Sequence, residues 1–207
     1  MDGNFDDCQS IVKSIFNDKD FSKSVSLTGV NSINWARIIS QVVYYFFAAS
    51  RLSSNTKLDF CVPTGNFGNI YAGYIAKKLG ANIDKLIIAT NKNDILHRTL
   101  SSGWYSKGEV LKTFSPSMDI QVSSNFERIL YDVCQENANV VNEKMESLQS
   151  DGSYCIEEET LNRLRNDFVS EVASEEETLA EIKKVFLNSK MIICPHTAVG
   201  TKVSRNF

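Results

Sequence analysis

Two glycines and two asparagines fall within five residues of one another, between an apolar segment and an amphipathic one. The run Gly65-Asn66-Phe67-Gly68-Asn69 follows Leu58–Val62, which is short and apolar and predicts a buried strand. It precedes Ile70–Gly80, whose apolar residues recur at helical spacing. A turn of this composition directs backbone N–H groups into open space at the positive end of a helix dipole. The pattern predicts an anion site for a phosphorylated ligand, and a tight turn that needs positive φ and holds no ligand is the alternative.

A second set of polar residues precedes a long apolar segment. Asn31, Ser32 and Asn34 are residue types that begin helices, and Arg37 follows one turn later. Asn31, Ser32 and Arg37 offer amide, hydroxyl and guanidinium donors, which predicts a second anion site. Ordinary helix capping with a surface salt bridge accounts for the same residues and stays the alternative.

Near the end of the chain, Thr197 follows an apolar segment, Met191–Cys194, that predicts a strand. The Thr197 hydroxyl could enter the same cleft as the glycine–asparagine turn, or it could simply cap a helix. His196 is as compatible with core packing as with catalysis. Neither His196 nor His97 has the neighbouring acid and nucleophile of a catalytic triad.

The overall composition is that of an ordinary soluble globular protein. Of 207 residues, 43% are apolar and 23% are charged, and the net charge is −3. No basic face is therefore expected for nucleic acid or an anionic membrane, and no apolar run approaches the roughly 20 residues that span a bilayer. The acidic segment 1–7 lacks the features of a signal peptide. We expect a cytoplasmic protein without nucleic-acid or membrane partners, and the composition leaves its oligomeric state open.

The cysteines do not form a metal-binding pattern. The chain has five, widely spaced and without a C-x-x-C pair, and its two histidines lie far apart. We expect reduced thiols and no metal site.

The order of elements along the first half predicts an α/β fold. Phe5–Phe16 has helical periodicity, and Trp35–Ala49 is apolar on almost every side, which predicts a centrally buried helix. A second apolar strand, Lys85–Thr90, is followed by cap-type residues and a further helix. Near-continuous apolar strands that alternate with helices predict a parallel sheet flanked by helices, in which ligands bind at the carboxyl ends of the strands.

The pattern changes after residue 122. The segment 123–190 is charged, amphipathic and poor in strand character, and 191–207 returns to a strand and a helix. We therefore expect a partial α/β domain over 1–122, a helical insertion over 123–190 and a truncated return to the first domain over 191–207.

Five ordered segments resemble threonine synthase, a pyridoxal-phosphate enzyme of fold type II. Phe67 within the turn resembles the long form of the family, found in fungi and enteric bacteria. The matching segments are Asn31–Arg37, Val62–Ile70, Ile87–Leu96, Ser115–Arg128 and Pro195–Gly200.

The resemblance implies a role for each candidate residue. Gly65, Asn66, Phe67, Gly68 and Asn69 would hold the phosphate of pyridoxal 5'-phosphate, and Thr197 would face the pyridine nitrogen of that cofactor. A hydroxyl there leaves the nitrogen largely unprotonated. Asn31, Ser32 and Arg37 would bind the phosphate of O-phosphohomoserine. The implied reaction converts O-phosphohomoserine and water to threonine and phosphate, the last step of threonine biosynthesis.

One part of the family pattern is absent. The lysine that binds the cofactor covalently lies upstream of these segments in the family and has no counterpart here, and Cys194 stands where an aspartate is expected. The resemblance thus implies an internal fragment without a catalytic residue of its own, inactive in isolation. A threonine-synthase-like phospho-lyase for another phosphorylated amino acid, or a non-catalytic binding paralogue, are the alternatives.

Overall fold

The computed structural model describes residues 5–53 and 56–207. The first four residues of the acidic N-terminal segment lie outside this range. The helices are α1 (Phe5–Asn17), α2 (Lys19–Ser24), α3 (Trp35–Ala49), α4 (Gly68–Lys78), α5 (Ile95–Ser102), α6 (Phe126–Val133), α7 (Ala138–Ser150), α8 (Glu158–Asp167), α9 (Glu175–Ser189) and α10 (Pro195–Ser204), with a 3-10 turn at Pro116–Met118. The strands are β1 (Leu58–Pro63), β2 (Ile83–Thr90), β3 (Trp104–Ser106), β4 (Ser153–Cys155) and β5 (Phe168–Val172).

A parallel sheet in the order β1-β2-β5 organises the fold, and β3 and β4 form a separate antiparallel pair. Alternate residues of β2 face opposite layers, as strand geometry requires. Leu86 and Ile88 pack into the larger core with α4 and α8, whereas Ile87 and Ala89 pack against α10. The expected parallel sheet with helices on both faces is confirmed.

The third strand of the sheet comes from a segment in which we expected helices. Phe168–Val172 pairs with Leu86–Thr90, and only Phe168 of the strand is buried. Met191–Cys194, for which we predicted a strand, has no regular structure, and Ile192 is largely exposed. The strand prediction there was wrong, because pairing with β2 rather than local apolar content decides which segment joins the sheet. The boundaries of the helical insertion stay a prediction.

Helix α3 is also less buried than its sequence suggests. Ile38, Val42 and Tyr45 recur on one face and are buried in the core, where α3 packs on α4. The opposite face is apolar and exposed, with Tyr44 66% and Phe47 59% accessible. The expectation of a centrally buried helix was wrong, because an apolar composition does not by itself decide which faces of a helix have a neighbour.

No helix among residues 5–53 and 56–207 is long and apolar enough to cross a membrane.

The contact between α3 and α4 gives a testable prediction about stability. A Cβ atom at Gly73 would lie 2.6 Å from the Tyr45 ring and 2.9 Å from Leu86. We expect Gly73→Ala to lower the free energy of unfolding by about 1–3 kcal/mol, although alanine favours helices, because the core is overpacked. Denaturant unfolding measures this change. Asn142→Ala, on the exposed face of α7, is the control and should stay within about 0.5 kcal/mol of the parent; equal stability of all three proteins contradicts the packing.

Candidate functional site

The candidate phosphate loop, Gly65–Asn69, joins the carboxyl end of β1 to the first turn of α4. The ladder with β2 continues one residue past the strand, since the Thr64 N–H donates to the Ala89 carbonyl at 2.8 Å. Phe67 then adopts a left-handed conformation with φ 64° at the N-cap of α4. Its ring is 1% exposed and packs against Phe126 and Phe168, each with ring centroids 5.4 Å away. The positive φ that we had associated with the glycines therefore belongs to Phe67.

The amide groups of this loop are available to a ligand. Within the described part of the chain, no backbone N–H from Gly65 to Asn69 donates a hydrogen bond to another residue. Gly68 and Asn69 belong to the first turn of α4, where backbone N–H groups have no intrahelical partner. Together with the N–H groups of Gly65, Asn66 and Phe67 they form a run of open donors, which is typical of an anion site.

Gly65 is required by close approach of a second segment. A Cβ atom there would lie 2.9 Å from the Ser117 carbonyl oxygen and 3.2 Å from the Met118 Cα atom. The Ser117 N–H donates to His196 Nε2 at 3.2 Å. The 3-10 turn thus bridges the phosphate loop and the start of α10.

The 3-10 turn is itself fixed by a buried polar network at the carboxyl end of β2. The Asn91 amide donates to Ser115 Oγ and to Asp119 Oδ1, both at 2.9 Å, and Thr113 Oγ1 donates to Asp119 Oδ1 at 2.6 Å. Asn93 donates to the same Asp119 oxygen at 3.1 Å. Asn91 and Asn93 directly follow β2, and their side-chain amide groups are engaged in this network.

A loop from Ser123 to Asn125 supports the phosphate loop from the other side. Ser123 Oγ donates to the Gly65 carbonyl at 2.7 Å, and Ser124 Oγ donates to Asn66 Oδ1 at 3.2 Å. The Asn66 carbonyl accepts from both the backbone and the side-chain amide of Asn125, at 3.1 and 2.9 Å. All three supporting residues are buried. The carbonyl groups of the phosphate loop therefore point into the protein, which leaves its N–H groups for a ligand.

Helix α10 carries Thr197 at its exposed N-terminal turn. Cys194 caps this helix, with Sγ 3.5 Å from the Thr197 nitrogen and 3.3 Å from its hydroxyl oxygen. A Cβ atom at Gly200 would lie 2.9 Å from Pro63, so α10 rests directly on the end of β1. Thr197 and the phosphate loop are thereby anchored at the same end of the sheet.

The chain is similar over nearly its whole length to threonine synthases. Threonine synthase from Pseudomonas aeruginosa is 46% identical over 206 residues, which are 99% of this chain and 44% of that protein. Threonine synthase from Saccharomyces cerevisiae is 46% identical over 215 aligned positions, 96% of this chain and 42% of the relative. The crystal structure of pyridoxal-phosphate-bound threonine synthase from Brucella melitensis superposes with a TM-score of 0.90 at 50% identity, over 99% of this chain and 44% of that chain. No family model matches the chain.

The chain is a partial homologue of threonine synthase. It spans less than half the length of these relatives, as the resemblance led us to expect. Serine racemase from Dictyostelium discoideum, at 18% identity and a TM-score of 0.53, shares the fold. The expected fold-type II architecture is confirmed.

The resemblance to threonine synthase implies that all five loop residues hold the cofactor phosphate, and this assignment stays a prediction. The Asn69 side chain is engaged by α3, since its Oδ1 accepts from the Tyr45 hydroxyl at 2.8 Å and its amide donates to Gln41 at 2.9 Å. Only the backbone N–H of Asn69 is open to a ligand. Burial raises the pKa of the Tyr45 hydroxyl, so it stays a neutral donor.

The candidate substrate residues do not all lie together. Ser32 is close to the phosphate loop, since its Cβ is 3.6 Å from the position that a Cβ would take at Gly68. Asn31 uses its side-chain oxygen to accept from the Ile33 N–H at 3.0 Å. Arg37 is exposed and donates to the Val30 carbonyl at 2.9 Å. Of the three, Ser32 is best placed for a ligand at this end of the sheet.

Two residues that carry the site were missed as functional candidates. Asn125 is completely buried against Asn66, and Arg128 on α6 links Asn125 to the segment that precedes α3. Both fall in the segment Ser115–Arg128 that resembles the family, and that resemblance was the available signal. No group of three or more His, Cys, Asp or Glu side chains in the described ranges could hold a metal ion.

The cap of α10 gives a prediction about thiol reactivity. Hydrogen bonds from the Thr197 hydroxyl and amide stabilise the thiolate and lower the pKa of Cys194. We expect the alkylation rate of Cys194 by iodoacetamide to reach half of its plateau below the pH of an ordinary thiol. Removing the hydroxyl donor in Thr197→Val should move this midpoint to higher pH. Exposed Cys155, measured in the same digests, is the internal control, and an unmoved Cys194 midpoint contradicts the contact.

Proposed function

We propose that this chain carries the cofactor-phosphate half of a threonine synthase active site. In the whole enzyme, pyridoxal phosphate would serve the conversion of O-phosphohomoserine and water to threonine and phosphate. The observation that carries the proposal is the run of open backbone N–H groups from Gly65 to Asn69 at the start of α4. The crystal structure of a relative, threonine synthase from Brucella melitensis with pyridoxal phosphate bound, supports the proposal.

The loop fits a phosphate group in chemistry and in shape. Its donors are amide groups at the positive end of a helix of 11 residues, which favour a dianion without a fixed positive charge. The approach of Ser117 to Gly65 leaves no room for a side chain there, so the path of the loop backbone depends on glycine at this position. Ser123, Ser124 and Asn125 hold the loop in place before the ligand arrives, which lowers the entropy cost of binding.

Each further residue would act on one part of the bound molecules. Thr197 would offer a neutral hydroxyl to the pyridine nitrogen, and Cys194 and the capped turn of α10 would hold that hydroxyl in place. Ser32, beside Gly68, would donate to the substrate phosphate, with Asn31 and Arg37 as further proposed contacts. Bound pyridoxal phosphate supplies an electron sink for negative charge that develops on the substrate carbons.

The chain does not contain a residue to which we assign the covalent attachment of the cofactor, so we propose that it is inactive alone.

We also propose that the chain divides into segments 1–122, 123–190 and 191–207 and that the protein is located in the cytoplasm. The location agrees with the absence of disulfide bonds at all five cysteines.

A related phospho-lyase is the second candidate. The human protein described as threonine synthase-like 1 is 39% identical over 218 aligned positions, 99% of this chain and 29% of that protein. A whole enzyme of this type would release phosphate from another phosphorylated amino acid without forming threonine.

A segment exchange tests the proposal. We expect the yeast relative to remain active when its matching segment is replaced by this chain, so that a yeast strain lacking threonine synthase grows without threonine. The isolated 207-residue chain should form no threonine. Phosphate release without threonine identifies the related phospho-lyase instead.

Two glycine variants of the chimera test the role of the phosphate loop directly. In the chimera, Gly65→Ala should lower kcat/KM on the order of 100-fold, because the loop must move away from Ser117 and lose its alignment. Gly152→Asn, at a left-handed position with open space around it, is the control and should retain parental activity. A fully active Gly65→Ala chimera contradicts the assigned role of the loop.

A further inference from the structure

Arg128 makes three contacts that converge on the site. Its Nη2 donates to the Ile33 carbonyl at 2.8 Å and its Nε donates to Asn125 Oδ1 at 3.0 Å. The guanidinium carbon lies 5.5 Å from the centroid of the Trp35 ring. A planar guanidinium can satisfy two acceptors and an aromatic face at once, which a lysine ammonium on a flexible stem cannot do in the same geometry.

Asn125 connects Arg128 to the phosphate loop by hydrogen bonds. Its side chain accepts from Arg128 with its oxygen and donates to the Asn66 carbonyl with its amide at 2.9 Å. Because Asn125 is 0% exposed, water does not compete for these bonds. An unbroken series of hydrogen bonds therefore joins the Ile33 carbonyl, beside Ser32, to Asn66.

The charge of Arg128 is not neutralised locally. Four arginines pair with carboxylates, for example Arg98 with Asp94 at 2.8 Å and Arg205 with Glu181 at 2.7 Å. Arg37 and Arg51, like Arg128, do not pair with a carboxylate within the described residues, but both are exposed, whereas Arg128 is half-buried. Arg128 has no ion pair with any residue in 5–53 or 56–207. A partly buried cation bonded to two neutral oxygens adds positive potential between the two segments that are proposed to bind phosphate groups.

We propose that Arg128 is a positioning residue that fixes the substrate segment Asn31–Asn34 against the cofactor loop through Asn125. The identity of the two ligands rests on the proposed function, whereas the mechanical link does not. Arg128 acts through Ile33 and Asn125 and needs no contact with either ligand.

Amide hydrogen exchange on the 207-residue chain tests the link without any ligand. The Asn34 N–H donates to the Asn31 carbonyl and the Asn125 N–H to the Asn66 carbonyl, both at 3.1 Å, so they report on the two segments. In Arg128→Lys, the amides of Asn34 and Asn125 should exchange about tenfold faster, because the Ile33 carbonyl and Asn125 Oδ1 lose their hydrogen bonds to the guanidinium. Amides of β2 should be unchanged.

Arg51→Lys is the matched control. Arg51 also lies over an aromatic ring of α3, 4.5 Å from the Phe47 centroid, and within residues 5–53 and 56–207 no hydrogen bond or ion pair connects its side chain to the phosphate loop. Neither reporter amide should change in this variant. Acceleration of only one reporter in Arg128→Lys, or of neither, overturns the proposal.

Binding of pyridoxal phosphate provides the second measurement. In a Trp104→Phe background Trp35 is the remaining tryptophan, and its fluorescence should be quenched on titration. Arg128→Lys should raise Kd about tenfold, while Arg51→Lys leaves it unchanged. Faster exchange with an unaltered Kd overturns the positioning role. If the parent chain binds no pyridoxal phosphate, the proposed function fails, and exchange alone decides the link.

Faster exchange of the β2 amides in Arg128→Lys would indicate that this variant destabilises the whole fold. Asn125→Asp is then the variant that tests the link. Aspartate preserves the acceptor for Arg128 but removes the amide that donates to Asn66. The Asn125 amide should then exchange faster while Asn34 remains protected. Equal protection of both amides in this variant overturns the proposal.

Discussion

The structure of the site depends on burial of one aromatic ring at a left-handed backbone position. A non-glycine residue in this conformation costs about 1–2 kcal/mol. Complete burial of a phenylalanine side chain contributes about 1.5–3 kcal/mol, and the Phe67 ring is enclosed by Phe126 and Phe168. Packing therefore offsets the backbone strain at Phe67. The strained residue turns the chain from β1 into α4.

Two segments hold the phosphate loop in place. The 3-10 turn at Pro116–Met118 contacts Gly65 and His196, and a buried network around Asp119 fixes that turn to the end of β2. The loop Ser123–Asn125 donates hydrogen bonds to the carbonyl groups of Gly65 and Asn66 and to Asn66 Oδ1. A phosphate group would thus meet donors that are already aligned, which is how preorganised sites gain affinity.

The local sequence pattern predicted the turn Gly65–Asn69 and the strand and helix on either side of it, because each of these elements has a composition and periodicity of its own. It missed β5, since Phe168 is the only fully buried residue of that strand and pairing with β2 is a long-range contact. It also misjudged α3, whose apolar residues on the exposed face have the same composition as those in the core. The roles of Asn125 and Arg128 depend on residues about 60 and 95 positions away, so no local pattern reveals them.

Amide NMR spectra of the chain, recorded during titration with pyridoxal phosphate and with pyridoxal, test the central claim most directly. The two ligands differ only in the phosphate group. The account predicts saturable shifts for the amides of Gly65, Asn66, Phe67, Gly68 and Asn69 with pyridoxal phosphate, and none of comparable size with pyridoxal. Equal shifts with both ligands, or shifts that leave these five amides unchanged, would contradict it.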